Sequence, residues 1–291
     1  MFGSFGRSWK IWKKTLQIIK KDNHLYYYPI ASFFASFVFL IVIGALVISY
    51  VLFGYAPLKE ISQFLSVLVY ILILLIFSTG MTFISNYFST GVVYTTANRF
   101  SGEETTFSEG LNFANQRFGN LFYWSAFDSV VGMVLRYLQE KLEKLGILGS
   151  LIGGLAGLAW TVSKTFVLQE IVYRDKGPFK ALKGSVKVIK DKWGDVAVQY
   201  VSFGAIGIIM FIPGLILGGV LLALVANLGM TYVWIVLGLI LLYAIAVGLT
   251  FGIASTIYST ALYVYANTGK VPEEFDKDSL ENAFKPKKSK N

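Results

Sequence analysis

The lengths of its uncharged stretches most limit what this chain can fold into. Residues 25–58, 61–98 and 196–269 contain no Asp, Glu, Lys or Arg, and the last of these runs is 74 residues long. A helix crossing a bilayer needs roughly 20 mostly apolar residues, so these runs predict membrane crossings and are too long for the core of a soluble domain. Composition agrees, with 55% hydrophobic and only 15% charged residues among 291, where a soluble domain carries about 25% charged. With no cysteine, the chain can form neither a disulfide framework nor a thiolate metal site. The +9 net charge and pI near 9.4 would suit a nucleic-acid binder, but the apolar blocks argue against one, and no nucleic-acid partner is expected.

Six crossings are predicted, giving an all-α polytopic transmembrane bundle. The first centres on residues 30–53. The second belongs to one long helix over 61–98, whose later half carries Ser78, Thr82, Ser85 and Ser89 on one face. A weaker third crossing covers 118–138, and the charged segment 139–146 turns into a fourth over 147–173. The run 196–269 holds two more, with the turn at 226–229, where Asn and Gly supply turn chemistry. Pro213 should kink the fifth helix, because proline removes a backbone donor and clashes with the preceding turn. The first apolar block exceeds the 7–15 residues of a signal-peptide core, so it reads as a retained anchor. Residues 1–269 are read as a single transmembrane domain and 270–291 as a polar, basic tail ending in KPKKSK.

With both termini cytoplasmic, 21 of the 26 Lys and Arg residues fall inside and four outside, as the positive-inside rule demands. The location read is therefore the cell membrane, multi-pass.

A segment with amphipathic helical spacing precedes each odd-numbered crossing. The apolar stripes are Phe2, Phe5, Trp9, Trp12, Leu16 and Ile19; then Phe107, Leu111, Ala114 and Phe118; then Phe179, Leu182, Val186, Ile189 and Trp193. Such spacing, with a basic polar face in the first and third, is that of a helix lying in the membrane interface. A shift of 75 residues superposes Gly102 on Gly177, Arg117 on Lys192, Phe118 on Trp193, Gly119 on Gly194 and Asn120 on Asp195. The unit of one interfacial helix and two crossings is thus read as a three-fold repeat over about 1–98, 99–177 and 178–269.

The opening SWKIWKKTLQIIKKD, the central QEIVYRDKGPFKALKGSVKVIKDKWGD and the closing ALYVYANTGKVPEEFD resemble an uncharacterised family of prokaryotic, often archaeal, multi-pass membrane proteins. More distantly, the layout is similar to the membrane-anchor domain attached to some glycerophosphodiester phosphodiesterases. The resemblance implies six crossings and brings no activity or functional residue.

Two ionisable residues lie well inside predicted crossings, Asp128 and Lys164, and intramembrane charges are functional candidates by default. Their matching depths on adjacent antiparallel helices fit either a structural ion pair or a transport site, while Glu170 and Arg136 lie close enough to helix ends to reach water. Gly149, Gly153 and Gly157, and likewise Gly248 and Gly252, have the small-residue spacing of close helix packing. Lys10, Lys13, Lys14, Lys180, Lys183, Lys187 and Lys190 form basic faces suited to anionic headgroups. A protein partner or a second copy of the chain are further candidates. No cofactor is expected, and no nucleophile–base or metal constellation is evident around the single His24. The expectation is a non-enzymatic membrane scaffold or lipid-interacting protein, with transport through Asp128 and Lys164 as the alternative.

Overall fold

The structure is a computed structural model and describes residues 2–49, 52, 63–192 and 196–275. Regular elements among these residues are all helical. In chain order they are α1 (Phe2–Lys21), a 3-10 turn (Asn23–Tyr26), α2 (Tyr27–Ser49) and α3 (Gln63–Arg99), then α4 (Phe107–Gln116), α5 (Phe118–Glu143), α6 (Ile147–Ser163) and α7 (Val167–Arg174), and finally α8 (Pro178–Lys192), α9 (Val196–Val225) and α10 (Met230–Thr268). Five candidate spans are long and apolar enough to cross a membrane: Asn23–Ser49, Leu65–Arg99, Ile147–Arg174, Gly204–Val225 and Met230–Thr268. The chain is therefore an all-α, multi-pass membrane protein. The expected third crossing lies in α5, which is long enough at 26 residues, about 39 Å. Asp128, Arg136, Glu140, Lys141 and Glu143 dilute its apolar character, so it is not among the five.

The chain divides into two compact units. Their limits do not follow the three repeat segments 1–98, 99–177 and 178–269. Residues 30–99 and 103–187 form one unit; residues 1–29, 100–102 and 188–291 form the other.

In the unit of residues 30–99 and 103–187, α3 packs along α5 and α4, and α5 forms an antiparallel hairpin with α6. Its core is Ala114, Leu121, Trp124, Val167, Ile171 and Ala181, ringed by Phe83, Tyr87, Phe127, Trp160, Leu168 and Leu182. Polar residues of α3 face α5: Asn86 Nδ2 donates to Ser125 Oγ at 3.0 Å, and Ser129 Oγ donates to Thr82 Oγ1 at 3.2 Å. A capping box starts α4, with the Thr106 N–H on Glu109 Oε2 and the Glu109 N–H on Thr106 Oγ1. The first of these bonds holds the Glu109 carboxyl below its usual range. The α5–α6 turn is tighter than the expected 139–146 segment, because α5 continues to Glu143 and only 144–146 lie between the helices. Gly146, at φ +81°, makes the reversal, and Gln139 Nε2 reaches across to the Gly153 carbonyl at 2.8 Å. A Cβ at Gly149 would collide with the Leu142 carbonyl, and at Gly153 and Gly157 it would press on Gln139.

In the other unit, α1 packs on α9 and α10. Ile11, Trp12, Ile18 and Ile19 are buried, at about 1.5–3 kcal/mol for each side chain removed from water. Between Met230 and Tyr243, α10 exposes many large apolar side chains, whereas Ile253, Ala254 and the run 257–263 are buried. The helix continues through Pro213 in α9. One turn before it, the Met210 carbonyl accepts the Tyr243 hydroxyl at 2.6 Å, which ties α10 to α9. Gly214 and Gly218 admit Tyr243 and Ile240 of α10, but a Cβ at Gly248 or Gly252 would meet nothing within 4 Å. Small size at those two positions therefore serves no contact among the described residues. The turn at 226–229 separates α9 from α10, with Gly229 at φ +117°.

The amphipathic helices differ from the interfacial expectation in one physical respect. Their apolar faces are covered by protein: Trp12 and Ile19 in α1, Ala114 in α4, and Ala181 and Val188 in α8 are all buried. In α8 the buried line runs through Ala181, Gly184, Ser185 and Val188, beside the expected stripe. Phe179 is 58% exposed, because small residues on the neighbouring line allow the closer approach. The segments 53–62, 193–195 and 276–291 lie outside the described residues. With them lie Lys59, the superpositions at Trp193, Gly194 and Asp195, and the KPKKSK tail.

The α5–α6 packing gives a paired test by thermal unfolding in detergent. Gly149→Ala should destabilise by about 1–3 kcal/mol through overpacking. Gly154→Ala, where a Cβ meets nothing within 4 Å, should be neutral or stabilising by up to about 1 kcal/mol from helix propensity.

Candidate functional site

The fourth apolar segment is not one helix. Its last turns carry Thr161, Ser163 and Thr165, whose hydroxyls donate back to the carbonyls of Gly157, Ala159 and Thr161. Such back-bonding weakens and bends helices. After Ser163 the helix stops, and three residues later α7 begins at Val167. Ser163 is 16 residues beyond Ile147, about 24 Å along the axis, so the interruption lies toward the far end of a hydrocarbon core of about 30 Å.

An interruption there exposes backbone groups that a continuous helix would pair. Ser185 of α8, fully buried, supplies the missing partner. Its hydroxyl donates to the Ser163 carbonyl at 2.7 Å and accepts the Phe166 N–H at 3.1 Å. One side chain thus bridges the end of α6 and the start of α7.

Lys164, the first residue of the break, turns to α5. Its Nζ lies 2.8 Å from both carboxylate oxygens of Asp128, and Trp160 Nε1 donates to Oδ1 at 2.9 Å. The Asp128 side chain is 9% exposed and that of Lys164 33%. Three hydrogen bonds to charged or aromatic donors therefore hold the carboxylate. Beside the carboxylate, the Trp160 ring is tilted against Trp124 and meets Phe127 edge-on.

A second ion cluster lies one turn on. Glu170 is fully buried, with Lys176 Nζ at 2.6 Å and Arg174 at 3.6 Å. This corrects the expectation that Glu170 reaches water: α8 covers it, and Gly184 lets the backbone of α8 close on the carboxylate, where a Cβ would collide. Arg117, between α4 and α5, pairs with Asp175 at 3.2 Å and lies 3.6 Å over the Phe113 ring. Arg136 Nε donates to its own helix at the Gly132 carbonyl, 3.3 Å away.

The structure thus brings Asp128 and Lys164 together and adds Trp160, Glu170, Lys176, Gly184 and Ser185. The sequence carried a trace of these in the Gly184–Ser185 pair, two small residues in the middle of a basic amphipathic helix. Lys10, Lys13, Lys180, Lys183, Lys187 and Lys190 are exposed and Lys14 is half-buried. Among the described residues, no three His, Cys, Asp or Glu side chains are grouped to hold a metal.

A family model described as a family of unknown function (DUF6159) matches residues 65–273, which include the whole of the α5–α8 site. No curated protein and no solved structure matches the chain.

The ion pair predicts strong non-additivity. Asp128→Asn or Lys164→Met alone should each cost about 2–3 kcal/mol, less than the ~3–5 of a fully buried pair because Lys164 is partly exposed. The double variant should recover most of that loss in a thermal-unfolding cycle.

Proposed function

The chain belongs to the DUF6159 family of unknown function, and from its own geometry we propose a six-crossing, non-enzymatic membrane protein that binds anionic lipid headgroups. Its basic helices α1 and α8 form the headgroup-binding faces. The observation that carries this reading is the depth of α1. Trp12 stacks on Phe251 at 5.9 Å, and Phe251 is 21 residues along α10 from Met230, about 32 Å. That length matches the hydrocarbon thickness, so Lys10 and Lys13, which flank Trp12 and are exposed, fall at headgroup level. In α8, Ser185 is bonded to the break at the inner end of α6, while Lys180, Lys183 and Lys187 face outward. Each lysine near an anionic surface contributes about 1 kcal/mol.

The sixth crossing is α5. Phe122, Tyr123, Val130, Val134, Tyr137 and Leu138 are exposed along it, a lipid-facing surface between ends that carry charge. Its two internal charges are managed by pairing at Asp128 and by Arg136 bonding its own backbone. The three-fold repeat draws support from a cyclic pattern of contacts. α4 packs on α3 of the hairpin before it, and α8 packs on the α5–α6 hairpin before it. α1 packs on the α9–α10 hairpin. A transport reading draws on one observation, the discontinuous fourth crossing, which transporters use at binding sites. It would require Lys164 to leave Asp128.

Two measurements test the proposal. The chain has no cysteine, so single cysteines report topology directly. With six crossings, Glu104→Cys and Lys144→Cys should label from opposite sides of sealed vesicles; labelling from one side would remove α5 as a crossing. Native mass spectrometry of the full chain extracted from mixed bilayers should show retained anionic over zwitterionic lipid. Lys180, Lys183, Lys187 and Lys190 changed together to Gln should weaken retention by at least about tenfold, and indiscriminate retention would sink the headgroup reading.

A further inference from the structure

We infer that α8 is a lipid-governed strap over the α6–α7 break: anionic headgroups on its lysine face favour the state in which Ser185 bridges the interrupted helix. The inference rests on the headgroup reading and adds a mechanical consequence to it. α8 is a single helix of 15 residues, so its two faces move together. One face carries Gly184 against the Glu170 carboxylate and Ser185 on Ser163 and Phe166. At about 100° per residue, Lys180, Lys183 and Lys187 fall about 140–160° around the helix from Ser185, and all three are exposed.

Ser185 can reach both backbone groups only while α8 lies against the break. Lifting α8 would uncover the Ser163 carbonyl and the Phe166 N–H, which border the residue holding Asp128. The three preceding hydroxyl back-bonds leave this turn already weakened as a helix. A ligand shifts a two-state equilibrium by its differential affinity for the states. Headgroups that meet the lysine row only when α8 is docked at the interface have that differential affinity. The lipid composition of the inner leaflet would then set how open the break beside Lys164 is, without any residue of the break touching lipid phosphate.

The test uses the full chain in nanodiscs of zwitterionic lipid alone or with anionic lipid. Thr165→Cys, inside the break, is labelled with a neutral maleimide, and its rate is normalised to that of Glu104→Cys. Labelling should be several-fold slower in anionic discs. Ser185→Ala should give fast labelling in both, Ser185→Thr should restore the slow rate, and Lys180, Lys183 and Lys187 changed to Gln should remove the lipid dependence while Ser185 stays intact. If Ser185→Ala fails to fold, the lysine variant still decides the matter. Equal rates in the two discs overturn the strap. Equal rates with preferential anionic lipid retention overturn it and leave the headgroup reading standing. Equal rates without such retention remove both.

Discussion

In hydrocarbon, a backbone N–H or C=O without a partner costs several kcal/mol, and this constraint organises the protein. It makes the uncharged runs helical, since no other local structure pairs every group within one segment. It also explains why the interrupted fourth segment is held as it is. Where α6 ends at Ser163, the Ser185 hydroxyl takes one carbonyl and one N–H at once, and Lys164 finds its counter-ion within the same unit. The place of α8 follows from that need: Ser185 must lie on the inner side, which turns Lys180, Lys183 and Lys187 outward.

Elsewhere the constraint acts more quietly. Tyr243 reaches the Met210 carbonyl beside Pro213, Gln139 reaches the Gly153 carbonyl, and the hydroxyls of Thr250, Ser259 and Thr260 return to their own helix. These polar side chains serve as links between or within helices, as Thr82 does with Ser129. The longest helices, α3 and α10, outrun the bilayer by nearly its own thickness, and their later halves turn buried at Thr90, Val92 and Val93 and at residues 257–263. α3 carries α4 and α10 carries α1, which explains why Trp12, Ile19 and Ala114 are buried in protein. The basic faces are what remains exposed.

Much of this was legible in the sequence for a simple reason. Charge-free length, helix-period stripes and the Asp128–Lys164 depth match are local or near-local properties, and lipid permits few folds that satisfy them. The Gly149, Gly153 and Gly157 row likewise announced a close neighbour, though not that it is the Leu142 carbonyl for the first and Gln139 for the other two. Hidden from the sequence were contacts between segments distant along the chain. Nothing local distinguishes Gly149, which meets a backbone carbonyl, from Gly248, which meets nothing. Glu170, four residues before Arg174, reads as a solvated helix end until α8 is laid over it.

The opening runs without charge therefore determined that this chain enters a membrane as helices, and roughly how many. Only the tertiary structure decided that the fourth apolar segment breaks at Lys164, that Ser185 from another helix repairs the break, and that protein covers one side of each amphipathic helix. Transfer of a segment into hydrocarbon depends on its own composition, whereas satisfying a broken backbone depends on which distant side chain the fold delivers to it.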